Sequence, residues 1–137
     1  MTDVFQLGAA DLAEDARQLL LEIDRDVPGA AAITADCRPA LDVLETGSSI
    51  EVLVDVPGVP AESLRVAVRR STLLVVGAKL NATVDPQARF HLAERSYGRF
   101  ARAVLLTGAF DAWRAKAAVR AGQLRIVLPR LDDRRRV

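Results

Sequence analysis

Residues 115–129 read AKAAVRAGQLRIVLP. Ala115, Ala117 and Val119 stand two apart, and so do Leu124, Ile126 and Leu128, with Ala121-Gly122 between the runs. A period of two sends successive side chains to opposite faces of an extended strand. Gly122 accepts the positive φ that a tight reversal demands. Pro129 closes the second run, because it has no N–H to give to a ladder. The stretch is a β-hairpin with an apolar face, and earlier strands must cover that face.

The chain upstream supplies them. Phe100 to Leu106 reads as a strand, with Thr107 to Trp113 as a connection. Phe90 to Ala93 is a short apolar patch after a longer loop, Lys79 to Arg89, that holds Asn81, Asp85 and Pro86. Leu73 to Ala78 follows a turn at Arg70-Ser71. Leu64, Val66 and Val68 alternate with Arg65, Ala67 and Arg69, as in a half-buried strand. Pro57-Gly58-Val59-Pro60 is a rigid turn. Ile50 to Val56 is apolar apart from Glu51 and Asp55, as a strand buried on both faces would be. Leu41, Val43 and Leu44 form a short strand closed by Thr46-Gly47. About eight short strands with frequent turn signals predict an all-β sandwich.

The first residues differ. In Asp11 to Asp26, Leu12, Ala16, Leu19, Leu20 and Ile23 fall on one helical stripe, Asp11 and Glu14 form a capping box, and Pro28-Gly29 stops the run. A lone helix of this length is marginal in water, so the stripe must find the domain, a partner subunit or a client. The organisation expected is an arm with an amphipathic helix and linker over 1–37, a sandwich over 38–130 and a short charged tail over 131–137.

Composition narrows the function classes. The 137 residues suit one domain, and half of them are hydrophobic but only 4% aromatic, so the core is Val, Leu and Ala. A net charge of +1 produces no long-range field to favour nucleic acid or a charged membrane. Cys37 is the only cysteine, which excludes an internal disulfide and suits a reducing compartment. The N-terminus lacks the pattern of a signal peptide, and no apolar run approaches the roughly 20 residues of a membrane span. The expected location is cytoplasmic.

Catalytic chemistry is hard to find. A nucleophile needs a base beside it, and the only pair on offer is Cys37 with the single histidine, His91. Neither sits on a recognisable nucleophile turn. No close set of ligands for a metal and no glycine-rich phosphate cradle occurs. Asp42, Glu45, Glu51 and Asp55 lie close in sequence and suit solvated or arginine-paired strand carboxylates. The expectation is a protein that is not an enzyme and uses no cofactor or metal.

Four fragments then occur in order: Asp55-Val56-Pro57-Gly58-Val59; Leu73-x-x-x-Gly77 with Lys79; Glu94-Arg95-Ser96-Tyr97-Gly98-Arg99-Phe100 with Arg102; and Ala117-x-x-x-x-Gly122-x-Leu124 with Leu128-Pro129. Together they resemble the α-crystallin domain of the small heat-shock proteins, from about Arg38 to Arg130. The resemblance implies an immunoglobulin-like β-sandwich that forms a homodimer, with possible larger oligomers. A short loop strand, here Phe90, His91, Leu92 and Ala93, would cross to the partner and pair with its Leu41 to Leu44, Val43 included. Arg102 matches the family's arginine at the dimer interface, where a carboxylate or carbonyl partner is expected. A groove between two edge strands, Leu64 to Arg69 and Ala115 to Arg120, would be lined by Val66, Val68, Ala117 and Val119. The I-x-I/V tail motif that fills this groove in the family does not occur here, a departure that touches large assembly and not the dimer.

The function implied is an ATP-independent chaperone, a holdase that binds unfolding clients under stress and prevents their aggregation. Its client or oligomer contacts would be the helical stripe and the groove. A second reading is a co-chaperone or adaptor sandwich that binds one folded partner. A third, a sandwich enzyme, requires Cys37 and His91 to meet.

Overall fold

The 115–129 stretch folds as the hairpin its period requires, pairing Lys116 with Val127 through Arg120 with Gln123. Ala121 and Gly122 form the reversal with φ of 52° and 76°. Positive φ at both central residues gives the turn whose twist matches right-handed strands. The Val56 N–H donates to the Gly122 carbonyl at 2.7 Å, and a Cβ at Gly122 would stand 3.4 Å from Pro57 Cα. The hairpin tip therefore seats on the Pro57-Gly58 turn.

The computed structural model describes residues 4–5, 17, 37–80 and 85–131. Among them are β1 (Val4–Phe5), β2 (Leu41–Glu45), β3 (Ser49–Asp55), β4 (Arg65–Arg69), β5 (Thr72–Lys79), β6 (Gly98–Leu105), β7 (Lys116–Arg120) and β8 (Gln123–Pro129). They form two four-stranded sheets, ordered β1-β4-β5-β6 and β2-β3-β8-β7. All pairs are antiparallel except β1 with β4, where Val4 faces Val66 and Phe5 faces Ala67 in parallel register. The all-β sandwich is the fold expected.

The core lies between the sheets. Ile50, Val52 and Val54 from β3 meet Leu124, Ile126 and Leu128 from β8, and Val66, Val68, Leu73, Val75 and Phe100 cover them from the other sheet. Each such side chain contributes about 1.5–3 kcal/mol when fully buried. A short 3-10 helix at Ala61–Ser63 leads from one sheet to the other. There Ser63 is fully buried, its hydroxyl accepting from the Ala78 N–H at 3.2 Å and lying 2.9 Å from the Pro60 carbonyl.

Two strands differ from expectation. β3 is buried on one face only: Leu53 is half-buried, and Glu51 turns outward to Arg125. β5 is the strand buried on both faces, and Ala67 on β4 is buried where a solvent-facing position was expected. Phe90 to Ala93 forms no strand within one chain. Val4–Phe5, in the region read as an arm, is part of a sheet. The stripe Leu12, Ala16, Leu19, Leu20 and Ile23 lies outside the described residues, as do 132–137.

Gly77 marks the tightest packing. A Cβ there would lie 2.6 Å from Phe100 Cζ and 3.0 Å from Leu64 Cδ2, whereas one at Gly47 meets nothing within 4 Å. Gly77→Ala should lower unfolding free energy by about 1–3 kcal/mol through overpacking, while Gly47→Ala stays within about 0.5 kcal/mol. Chemical denaturation checks both, and equal midpoints would contradict the packing described.

Candidate functional site

β2 is the edge strand of its sheet, and both its ends are tied down. Before it, the Ala40 carbonyl accepts from the Asp55 N–H at 3.0 Å. The preceding carbonyl, of Pro39, accepts from Arg102 Nη1 at 2.6 Å. After it, Thr46 Oγ1 accepts from the Ser49 N–H at 2.9 Å, and the Thr46 carbonyl accepts from Arg130 Nη1 at 3.0 Å. Between these anchors Val43 and Leu44 are 44% and 38% exposed. Leu41, at the start, packs half-buried against the core. The result is a fixed strand with two apolar side chains in water and, among the described residues, no strand on its outer side.

A second exposed apolar element lies on the loop before β6. Asp85 opens it with a turn, its carboxylate accepting from the Gln87 N–H at 2.8 Å and its carbonyl from Ala88 at 3.0 Å. Every residue from 85 to 96 is exposed. Phe90 and Leu92 stand two apart at 57% and 75% exposure, with His91 between them. At its end Arg95 donates to the Tyr97 hydroxyl at 3.1 Å and sits 5.3 Å over the ring, which stiffens the return into β6.

Arg102 faces inward on β6 and is half-buried. Burial lowers its pKa, and the nearby Arg38 charge adds to that. Its partner is a carbonyl, one of the two kinds expected, but it belongs to the same chain. The bond fastens the lead into β2 to the opposite sheet.

The four residues expected to line a groove are placed unevenly. Val66 and Val68 are fully buried, Ala117 is 5% exposed and Val119 is half-buried against the core. Val66 and Val68 point between the sheets, so they present no surface, and what β4 offers at its outer side is backbone, met by β1.

Catalytic candidates are not brought together. Cys37 lines an open cleft of about 260 Å³ with Pro39, Asp55, Pro57, Lys79 and Ser96, and His91 does not line it. Glu51 pairs with Arg125 at 2.6 Å and Glu45 with Arg130 at 3.8 Å. Among the described residues no three His, Cys, Asp or Glu gather to hold a metal ion. No described helix is long and apolar enough to cross a membrane. Sequence reasoning missed the Pro39 carbonyl, which no side-chain pattern reveals, and Trp113, 87% exposed beside its capping Asp111.

A family model described as the Hsp20/alpha crystallin family matches residues 42–136. The 18.9 kDa heat shock protein of rice (Oryza sativa subsp. japonica) is 33% identical over 111 residues, covering 79% of this chain and 63% of that one. The 16.9 kDa class I heat shock protein 1 of wheat (Triticum aestivum) is 30% identical over 125 residues, covering 90% and 83%. Among solved structures, heat shock protein 16.0 from Schizosaccharomyces pombe has a TM-score of 0.67 at 27% identity, covering 71% of this chain and 90% of its own. The chain spans about three-fifths of the length of several curated relatives that it matches.

Arg102→Ala should cost about 1.5–3 kcal/mol of unfolding free energy, because a charge-assisted bond is lost and a carbonyl is left unpaired. Arg102→Lys should recover only part, since an ammonium lacks the planar fork. Thermal midpoints read both, and an unchanged midpoint for Arg102→Ala would remove this anchor from the account.

Proposed function

The chain belongs to the Hsp20/alpha crystallin family, and from that premise we propose that it is an ATP-independent holdase acting as a homodimer. Family and relatives point to a chaperone role. The observation that carries the finer reading is the pairing of two incomplete elements in one chain: the open β2 edge and the exposed Phe90–Leu92 loop. Each is costly alone, as an unpaired edge and as apolar surface in water. Each can complete the other across two copies. The loop segment Phe90 to Ala93 of one protomer adds beside Leu41 to Leu44 of its partner, and β-augmentation supplies the backbone bonds. The exchange is reciprocal, as a two-fold interface requires.

The dimer then works on unfolding clients. Such states expose apolar surface and unpaired strands that aggregate at micromolar concentration. A protein that binds them lowers the free population by mass action, with no nucleotide needed. The client surfaces assigned are the stripe Leu12, Ala16, Leu19, Leu20 and Ile23, and the β4–β7 groove with Val66, Val68, Ala117 and Val119. Because Val66 and Val68 are buried and β1 already pairs with the outer edge of β4, a client at the groove would have to displace β1 and bond the β4 backbone in its place. A cytoplasmic site of action fits the free Cys37.

Two experiments test the reading. Light scattering from a heat-unfolding model protein, without nucleotide, should be suppressed at near-stoichiometric amounts of this chain. Full scattering with the chain verified as folded would overturn the holdase and favour an adaptor for one folded partner. Phe90→Asp with Leu92→Asp should convert a sedimenting dimer to monomer without loss of strand content. A mass unaffected by those changes would overturn strand exchange.

A further inference from the structure

The sheet β2-β3-β8-β7 carries its charge in two separate blocks. Residues 39–64 hold Asp42, Glu45, Glu51, Asp55 and Glu62 and no lysine or arginine. Residues 112–131 hold Arg114, Lys116, Arg120, Arg125 and Arg130 and no carboxylate. The first block builds β2 and β3 and the second builds β7 and β8, so acid lies on one half of the sheet and base on the other. Leu41, Val52, Val54, Leu124, Ile126 and Ala117 turn toward the core. By strand alternation Asp42, Glu51, Asp55, Lys116, Arg120 and Arg125 therefore share the outer face. Glu51 and Arg125 neutralise each other across its midline at 2.6 Å. Asp42 and Asp55 on one half, and Lys116 and Arg120 on the other, are exposed and make no ion pair among the described residues.

Within one chain the blocks stand apart, because β2 and β7 are opposite edges of the sheet, about 14 Å from each other. They meet when the face is laid on its own copy. A two-fold axis along the strands, midway between β3 and β8, brings β2 of each copy over β7 of the other. An axis across the strands would set acid on acid, so charge selects the first. The register then decides which residues oppose. Asp42, Leu53, Arg125 and Ala118 share one row, Leu44, Glu51, Val127 and Lys116 the row two along, and Asp55, Gln123 and Arg120 the row two back. Asp42 of each copy falls over the small Ala118 of the other, between Lys116 and Arg120. Arg120 falls over Ala40, which lines a shallow depression of about 60 Å³ with Asp42, Asp55 and Gln123. A cation thus arrives where the surface is concave and acidic. Leu53 and Val127, both half-buried, flank the axis and supply apolar contact.

We propose that the outer face of β2-β3-β8-β7 is a second interface between copies of this chain, joining strand-exchanged dimers face to face through Asp42 and Asp55 on one side and Lys116 and Arg120 on the other. It uses no tail motif. It is compatible with a partner strand beside β2, because edge pairing uses backbone groups in the plane of the sheet and leaves the outer face free. The inference rests on the dimer of the preceding section only for the unit that is joined, since the face itself belongs to a single chain.

Sedimentation of the full chain tests the interface. In about 20 mM salt the mass should be about twice that in about 0.5 M salt, where facing charges are screened. Lys116→Glu with Arg120→Glu should give the lower mass at both salts. Adding Asp42→Lys with Asp55→Lys to that chain should restore the doubling, because the two blocks have only changed places. A mass indifferent to the first pair of changes, or a loss that the second pair does not restore, would overturn the proposal. Should a variant lose strand content, carbodiimide coupling of the unaltered chain, as a mixture of light and ¹⁵N-labelled copies, gives the same answer. Lys116 should be joined to Asp42 between copies, and absence of that link would overturn the interface. In the chain with Phe90→Asp and Leu92→Asp, the doubling should run from monomer to dimer, so a failure of strand exchange and a failure of this face are told apart.

Discussion

Backbone N–H and C=O groups must find partners, and an open sheet always runs out of them at its edges. In this sandwich β2 is one of the edges on which that constraint falls. The strand pairs on one side with β3, from Leu41 opposite Val54 to Glu45 opposite Ile50, and among the described residues no strand pairs with its other side. A loose strand could twist away and hide. β2 is held at both ends, by Arg102 on the Pro39 carbonyl and by Arg130 on the Thr46 carbonyl. Rigidity turns an unsatisfied edge into a template.

The rigidity comes from the core behind it. β3 and β8 interlock along their whole length, from Ser49 opposite Pro129 to Asp55 opposite Gln123, and put six apolar side chains between the sheets. The hairpin tip at Gly122 seats on the Pro57-Gly58 turn, and the buried Ser63 hydroxyl joins the crossing between sheets to the end of β5. With both layers fixed, apolar groups left outside stay outside. Phe90 and Leu92 on the loop and Val43 and Leu44 on β2 are exposed because this frame offers them no place within one chain.

The hairpin at 115–129, the strand set and the glycine turn were legible because period-two patterning and positive φ are local properties. The identity of the doubly buried strand was not. Ile50 to Val56 and Leu73 to Ala78 are both almost wholly apolar, and only tertiary placement shows that Leu53 meets water while Leu74 and Val76 do not. Val66 and Val68 carried the right alternation for a lined groove, but alternation names two faces without saying which is core. Val4–Phe5 is too short to stand out from its surroundings, and its strand exists only through pairing with β4. Arg102 was legible as a residue with a partner, whereas its acceptor, a main-chain carbonyl 63 positions away, leaves no mark in side-chain chemistry.

The central claim is that a second copy completes the outer side of β2. Amide hydrogen exchange across Leu41–Glu45, followed as the protein is diluted, addresses this directly. Protection along β2 at high concentration that fades in step with the loss of dimer, while β3 and β8 stay protected, is the result predicted. Exchange in β2 that is fast at every concentration, or protection that ignores dilution in a monomer, would contradict it.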